Sequence, residues 1–424
     1  MFRNKNKVSS SRTDAEAEED WLDTVLEQLR PVTFNNDEYG LATALIEQAF
    51  AYTTQTKTPL GISLAAAFDL LVAVEYYKRA THIGWIYCSQ HPSLLIYPFT
   101  NTCPRCVLSG RFHYHAANKP SSGQIGQATS RLLCMFLHIL LKRNLPNLSI
   151  YQGVEPVDVV FVDKDTATLL FAEIKASPLT TLALATPSEI LTEEINGAIQ
   201  AIDHISTVNL MLNSLPLSLL LPNSENATYS LIELGIRGNN PIDQWLYSQM
   251  GQMFGKNDTN FIVYANYWKK AFQAYSSIDR NSSVFWLTNG CGQPSPRPAH
   301  WPARINGSGF ESVSDGKTSV GMDRTDDIKK GIYQVLKIGV EAKQQSSRFK
   351  VKTALISNIH AVRHYNQYLK DLQDIVWTVD ATKSAKMVQD LPPETPLYNL
   401  FDGIIAFTES NIRDEWLTKL FFFQ

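Results

Sequence analysis

Apolar residues recur every three or four positions in several stretches of the chain, which is the spacing of one buried face of an α-helix. The spacing predicts helices over 21–52 and 58–80 near the N-terminus. Further helices are predicted in the rest of the chain, over 120–144, 187–205 and 324–343. The first helix of this second group is followed by a hairpin.

Other stretches are short, rich in β-branched and aromatic residues, and bounded by turn-forming residues, which is typical of β-strands. The hairpin "VEPVDVVFVDKDTATLLFAEIKASP" fills 154–178, with the turn expected at "DKDTA". Further strands are predicted over 215–222, 260–268, 282–290, 349–358 and 401–410. Helices that alternate with strands favour an α/β architecture.

Length and composition limit the classes of protein that remain. The length of 424 residues predicts two or three domains. The composition, 44% hydrophobic and 19% charged residues, predicts a globular protein. The net charge of −3 indicates that any nucleic-acid site is a local patch. The sequence has neither a long apolar run nor a secretory signal, so we expect no membrane association and a cytoplasmic location. The polar residues 1–20 are expected to form a disordered leader.

Three charged residues interrupt the apolar strands of the hairpin. Because side chains alternate along a strand, Glu173 and Lys175 lie on one face of their strand, together with Leu169 and Phe171. If "DKDTA" forms the turn, Asp158 lies near them across the hairpin. An unpaired acid inside a buried sheet would be costly, so these residues are candidates for a functional site.

Two carboxylates beside an amine suit a magnesium site. Carboxylate oxygens and water are the ligands that Mg²⁺ prefers, and the main-chain carbonyl of Ile174 could supply another oxygen. The bound metal would activate a water molecule and stabilise charge on a phosphodiester oxygen. Lys175 would position or deprotonate that water and stabilise the pentacovalent phosphorane. The sequence therefore predicts Asp158 and Glu173 as metal ligands and Lys175 as a catalytic residue.

This arrangement resembles the PD-(D/E)XK nuclease superfamily. The first element reads Pro156-Val157-Asp158, with one residue inserted between proline and aspartate, and the second reads Glu173-Ile174-Lys175. The flanking helices also match that core, and the resemblance covers roughly 120–222. Glu155 is a spare candidate ligand. Where the family often carries an acid on the preceding helix, this chain has Gln124 and Gln127, which leaves open a one-metal or atypical second-metal site.

The resemblance implies a restriction-endonuclease-like fold, in which helices flank a mixed central sheet. It also implies a type II restriction enzyme that hydrolyses double-stranded DNA at a specific sequence with Mg²⁺. A homodimer is expected because two strands must be cut, and a cognate DNA methyltransferase is expected genetically. The alternatives are a repair or junction-processing nuclease, a non-catalytic DNA-binding protein with a zinc ribbon, and a surface hairpin whose charges form a salt bridge.

A second acid-x-lysine motif, Asp315-Gly316-Lys317, precedes the helix over 324–343. It is a rival catalytic pair, a DNA-contacting segment or a solvated start of that helix, and Gly316 weakens a strand there. Base readout in the major groove needs polar or basic side chains on exposed loops. The candidates for DNA contact in the loop-rich second half are Arg297, Arg304, Asn306, Lys317 and Arg324.

Three of the five cysteines cluster within 19 residues. Cys88-x2-His91 and Cys103-x2-Cys106 are separated by 11 residues, a spacing that suits a tetrahedral structural zinc ribbon. His113 or His115 could replace His91, and the alternative is a group of buried, reduced cysteines.

These observations predict five consecutive segments in the chain. The predicted segments are a leader (1–20), a helical region (21–82), an inserted zinc-ribbon-like module (83–120), a nuclease core (121–222) and an α/β region for DNA recognition or completion of the core (223–424).

Overall fold

The structure is a computed structural model. It describes residues 26–83, 86–88, 91–96, 104–108, 110, 122–153, 157–187, 192–196, 198–201, 213–223, 228–291, 320–344, 348–378 and 387–423.

The helices alternate with strands along most of the chain. The α-helices are α1 (Asn36–Thr56), α2 (Leu60–Ile83), α3 (Pro104–Leu108), α4 (Ser122–Lys142), α5 (Ile242–Met250), α6 (Asp258–Ser277), α7 (Thr325–Ala342), α8 (Tyr365–Tyr368) and α9 (Glu415–Leu420). A π-helical turn (Gly251–Gly255) and two 3₁₀ turns (Ser283–Leu287, Val388–Asp390) complete the helical segments of the described residues.

The strands contribute to two larger sheets and two short pairs. They are β1 (Arg30–Pro31), β2 (Ile86–Cys88), β3 (His91–Ile96), β4 (Ser149–Gln152), β5 (Val159–Asp163), β6 (Thr168–Ile174), β7 (Ala183–Pro187), β8 (Thr192–Ile195), β9 (Ala198–Ala201), β10 (Pro216–Asn223), β11 (Thr228–Ile236), β12 (Lys350–Ser357), β13 (Val376–Trp377), β14 (Tyr398–Asn399), β15 (Gly403–Ala406) and β16 (Asn411–Ile412).

The larger sheet is mixed. Within the described residues it has the order β1-β4-β5-β6-β12-β15-β16. The neighbouring pairs β1–β4, β4–β5 and β5–β6 are antiparallel, whereas β6, β12 and β15 run parallel. Strands β6 and β12 are therefore distant in sequence but adjacent in space, with Ile174 opposite Ile356.

Helices cover both faces of this sheet at β5 and β6. On one face, alternate residues such as Phe161 and Leu170 join the main core, which includes Leu132 and Phe136 of α4. On the other face, Val160, Val162, Leu169 and Phe171 pack with Ile338 and Ala342 of α7. Both strands are buried along their whole length, as expected for a sheet covered on two sides. The sequence prediction of an α/β fold with a mixed central sheet flanked by helices is confirmed.

A second, antiparallel sheet has the order β11-β10-β7-β3-β2. Most of it comes from the long connection between β6 and α7, and the strands β2 and β3 come from the predicted zinc-ribbon module. The strand predicted over 215–222 is confirmed as β10, and those over 349–358 and 401–410 are confirmed as β12 and β15.

Four sequence predictions of local structure differ from the structure. The segment 187–205, predicted as a helix, contains the hairpin β8–β9, with Ile195 opposite Ala198. The physical reason is the Asn196-Gly197 pair in the sequence, which favours a two-residue hairpin turn. Asn196 has the left-handed φ of 53° that such a turn requires.

The segment 260–268, predicted as a strand, lies inside helix α6. Its buried residues Phe261, Tyr264, Ala265 and Trp268 follow the helical spacing. Asn257 caps the helix by accepting a hydrogen bond from the Asn260 N–H at 3.2 Å. The predicted strand over 282–290 is a 3₁₀ turn.

The helix predicted over 21–52 is interrupted in its described part. Arg30 and Pro31 form strand β1, which pairs with β4, because proline disfavours a helix interior. Helix α1 begins only after Asn35, whose side chain accepts a hydrogen bond from the Asp37 N–H at 2.8 Å.

Helix α2 is long enough and apolar enough to span a membrane, judged by its length and composition alone. Its window Leu60–Lys78 has a mean hydropathy of 1.5, but 89% of it is buried inside the fold. That burial is typical of the core helix of a globular domain.

Candidate active site

The β5–β6 hairpin places the three predicted residues together. The turn occupies residues 164–167 as predicted, and the Asp163 side chain accepts hydrogen bonds from Thr166 Oγ1 at 2.7 Å and Trp416 Nε1 at 2.8 Å. Asp158 directly precedes β5, and Val159 pairs with Ala172. Asp158 therefore lies beside Glu173 at the open end of the hairpin.

Hydrogen bonds fix the three side chains relative to one another. Asp158 Oδ2 accepts a hydrogen bond from the Ile174 N–H at 2.8 Å and lies 3.9 Å from Lys175 Nζ. Lys175 Nζ also donates to Glu173 Oε1. The ammonium group thus lies within reach of both carboxylates.

Glu173 is the most buried member of this group, with 1% of its surface exposed. Burial, together with the negative charge of Asp158, raises the pKa of Glu173 to about 8, although Lys175 opposes the shift. Its Oε2 is buried and accepts no hydrogen bond from any described residue. Such an unsatisfied acceptor is unfavourable in a folded protein unless a further donor or cation completes it.

Helix α7 covers the face of the sheet on which Glu173 lies. The side-chain amide of Gln334, with its nitrogen turned toward Glu173, donates to Oε1 at 2.5 Å and to the Lys330 carbonyl at 3.2 Å. Gly331 allows the close approach, since a methyl group there would lie 2.9 Å from Leu355 Cδ2 and 3.7 Å from Glu173 Cγ. Gln334 is not among the residues predicted from the sequence. The available signal was a polar residue next to Val335, on the buried face of an amphipathic helix.

The chain after β6 is held by contacts that order the end of the strand. The Lys175 N–H donates to the Ile356 carbonyl at 3.0 Å. The Asn358 side chain accepts from the Ser177 N–H at 3.1 Å and donates to the Ser177 carbonyl at 2.9 Å. The Gly321 N–H donates to the same carbonyl at 2.9 Å. Segments distant in sequence therefore meet beside Lys175.

Asp69 of α2 anchors the next residues of this segment. It is fully buried and accepts hydrogen bonds from the backbone of Leu179 at 2.8 Å and Thr180 at 3.0 Å. Trp268 Nε1 donates to it at 2.6 Å. Burial raises the pKa of Asp69 to about 8, and these hydrogen bonds oppose the shift.

A cleft of about 500 Å³ opens at this end of the sheet. Asp158, Ile174 and Lys175 line it. The N-terminal half of α4 forms one wall, and the start of α7 contributes Arg324, the residue before the helix, and Asp327 of its first turn. Arg324, one of the predicted DNA contacts, thus lies in the same cleft as Asp158 and Lys175. Gln127, noted where the family often carries an acid, also lines the cleft.

The other candidates for DNA contact or catalysis are not placed by the structure. Residues outside the described ranges are Glu155, Arg297, Arg304, Asn306, Asp315 and Lys317. Their roles stay predictions.

The zinc ribbon also stays a prediction. Cys88 and His91 are register partners in the β2–β3 hairpin, and Cys106 is buried in α3. Cys103, His113 and His115 lie outside the described residues. No group of three or more histidine, cysteine, aspartate or glutamate residues that could hold a metal occurs within the described ranges.

The donor set at Asp158 and Glu173 fits a hard divalent cation. It offers two carboxylates close together, one with an unsatisfied buried oxygen. A cation there would relieve the repulsion between them and satisfy Oε2 of Glu173.

No family model, no curated protein and no solved structure matches the chain.

Proposed function

We propose that this protein is a Mg²⁺-dependent endonuclease that hydrolyses phosphodiester bonds in double-stranded DNA at a specific sequence, as type II restriction enzymes do. The observation that carries the proposal is the grouping of Asp158, Glu173 and Lys175 at the open end of the β5–β6 hairpin, where Asp158 and Lys175 line a cleft and Glu173 is buried directly behind them. A purely structural ion pair would not require a second carboxylate beside a buried acid.

The topology around the hairpin supports the same proposal. The order α4-β4-β5-β6, followed after a long connection by α7 and a parallel β12, resembles the core of PD-(D/E)XK nucleases. The connection from 177 to 324 adds most of the second sheet together with α5 and α6. These additional elements are large enough to serve sequence recognition.

Asp158 and Glu173 would hold the Mg²⁺ ion, with the Ile174 carbonyl and Glu155 as further oxygen donors. When bound, the ion supplies Lewis acidity toward the phosphate and lowers the pKa of a coordinated water molecule. The raised pKa of Glu173 means that the site carries a proton near neutral pH when no cation is bound.

The chain's own residues position the reacting groups. Lys175 aligns the attacking water and either takes its proton or stabilises the negative charge that develops on the phosphate. The water oxygen forms a bond to phosphorus while one phosphorus–oxygen ester bond breaks, and the leaving oxygen takes up a proton. Gln334 keeps Glu173 oriented toward the reacting centre, and Arg324 provides positive charge at the cleft.

Several partners follow from the proposal. Duplex DNA is the substrate, and a second copy of the chain would cut the other strand. A cognate DNA methyltransferase would protect the host, and a cytoplasmic location is expected. A structural zinc at Cys88, His91, Cys103 and Cys106 would brace the hairpin β2–β3.

The proposal is tested by incubating the pure protein with long unmodified DNA and Mg²⁺. Discrete fragments are the expected result. Unspecific degradation, or cutting of branched DNA only, would replace it with a repair or junction-processing nuclease. DNA binding without cleavage in any divalent metal would replace it with a non-catalytic DNA-binding protein.

A further inference from the structure

Arg131 lies on the α4 wall of the cleft that contains Asp158 and Lys175. The charged residues that line this cleft are three cations and two acids, namely Arg131, Lys175, Arg324, Asp158 and Asp327. The proposed function leaves Arg131 without a role. Its position in the wall, rather than on the outer surface of α4, requires an explanation.

A buried carboxylate fixes the orientation of Arg131. Its two terminal nitrogens donate to Glu38 Oε2 at 2.6 Å and Oε1 at 2.7 Å, and Glu38 has 5% of its surface exposed. The Tyr247 hydroxyl lies 3.3 Å from both Glu38 Oε1 and Glu75 Oε1. Glu38 is therefore supported by a second element, and the guanidinium plane of Arg131 is held in one geometry.

Arg131 keeps donors for a ligand. A guanidinium group has five N–H donors, and a bidentate pair with a carboxylate uses two of them. No other described residue accepts a hydrogen bond from Arg131, and 37% of its side chain is exposed. The remaining N–H groups of the planar guanidinium are suited to an anion with several oxygens, such as a phosphate.

Arg131 shares its cleft with Asp158, the candidate metal ligand. Burial raises the pKa of the Cys134 thiol to about 12; the charge of Asp158 adds to this shift and that of Arg131 opposes it. Both charges therefore act on one thiol, which itself lines the cleft. A phosphate bound at Arg131 would therefore lie in the same cleft as Asp158 rather than on a remote surface.

The chain offers an internal comparison at the same two helices. Arg143, the residue directly after α4, pairs with Glu47 of α1 at 2.7 Å, and 39% of its side chain is exposed. This pair does not line the cleft. If Arg131 served only to form an ion pair with α1, replacing Arg131 or Arg143 would have the same effect on DNA binding.

We propose that Arg131, oriented by Glu38, binds a backbone phosphate of the nucleic acid strand next to the phosphate that is cut. The inference rests on the proposed nuclease function and adds a substrate-binding residue to it. Arg131 binds the strand through hydrogen bonds to phosphate oxygens, so it contributes affinity and position rather than base recognition.

The test compares Arg131→Gln with Arg143→Gln in the full-length protein. Binding of a fluorescein-labelled duplex and of its single strand is measured by anisotropy in Ca²⁺ across a series of salt concentrations, with thermal unfolding as a second measurement. Loss of one phosphate contact should weaken binding on the order of tenfold. The dependence of log K on log salt should flatten by about 0.9. Arg143→Gln should leave both quantities unchanged.

Arg131→Lys serves if Arg131→Gln does not fold, because it keeps the charge but loses the bidentate geometry. Weaker binding by Arg131→Lys than by Arg143→Lys supports the inference. Wild-type affinity and salt dependence in the folded Arg131 variants, with or without a lower melting temperature, would overturn it. Failure of the wild-type protein to bind any DNA would instead overturn the proposed function.

Discussion

Lys175 donates a hydrogen bond to Oε1 of Glu173, while Oε2 of the same carboxylate is buried and accepts none from the described residues. Half of this carboxylate is therefore satisfied by the protein, and the other half is not. Nearby Asp158 adds negative charge that its own hydrogen bond to the Ile174 N–H does not neutralise. Either the proton that the raised pKa of Glu173 favours or the proposed divalent cation would complete the two acids.

The raised pKa of Glu173 predicts a pH-dependent affinity for Mg²⁺. Below about 8 the carboxyl group is mainly protonated, and a metal ligand must be deprotonated, so binding a cation releases a proton. The Mg²⁺ concentration needed for half-maximal cleavage should fall by up to about tenfold per pH unit as the pH rises toward 8, and then level off.

Calorimetry of Ca²⁺ binding in buffers with different ionisation enthalpies measures this proton release directly. Wild-type protein at pH 7 should release close to one proton, and Glu173→Gln should release none. Equal proton release by the two proteins would show that Glu173 does not bind the cation.

Gln334 should affect the reaction through the orientation of Glu173. Gln334→Ala removes the amide donor on Oε1 and should lower kcat on the order of tenfold, since a loosened ligand is held less well. DNA affinity in Ca²⁺ should not change. Leu336→Ala, an exposed position on the same helix, is the control. A matching loss of kcat in the control would indicate a general effect on α7.

Two glycines of α7 allow a matched test of how closely this helix covers Glu173. Gly331→Ala introduces a methyl group 2.9 Å from Leu355 Cδ2 and 3.7 Å from Glu173 Cγ, whereas the nearest atom at Gly339 is 3.9 Å away. Gly339→Ala should stabilise the protein by about 0.5–1 kcal/mol, because alanine is the better helix former. Gly331→Ala should lose that gain and reduce cleavage. Urea denaturation and cleavage rates measure the two effects, and equal behaviour of the variants would refute close packing at Gly331.

Gly61 marks the contact between the start of α2 and the C-terminal segment. Its N–H donates to the Phe423 carbonyl at 2.9 Å, and a methyl group would lie only 1.7 Å from the Phe407 carbonyl oxygen. Gly61→Ala should therefore destabilise the fold by roughly 2–4 kcal/mol. Gly40→Ala, in an open and exposed position of α1, should be neutral or stabilising. Thermal and urea unfolding compare the two, and a stable Gly61→Ala protein would contradict this packing.

The hairpin geometry could be predicted because it depends on local pattern alone. Alternation placed Glu173 and Lys175 on one face, and the turn at 164–167 set the register that brings Asp158 beside them. The strands β12 and β15 were recognisable for the same reason, since each is a short apolar run between turn residues.

What the sequence left open depends on contacts between distant segments. The parallel pairing of β6 with β12 joins residues separated by a long connection, so neither Gln334 nor Gly331 could be assigned to Glu173 from local pattern. The errors over 187–205 and 260–268 arose where local capping and turn residues decided the structure. Asn196 lies in a hairpin turn where a helix was predicted. Asn257 caps a helix where the apolar run had predicted a strand.

The central claim is that Asp158 and Glu173 form a metal-dependent hydrolytic site. The most direct measurement is single-turnover cleavage of end-labelled duplex DNA in Mg²⁺ by Asp158→Asn and, as the control at the opposite end of the hairpin, Asp165→Asn. Asp158→Asn should lose cleavage by at least about a thousandfold, since the metal ligand cannot be replaced from solvent, and should still bind DNA in Ca²⁺. Asp165→Asn should cut at the wild-type rate. Cleavage by Asp158→Asn at a rate close to that of Asp165→Asn would contradict the assignment of the site.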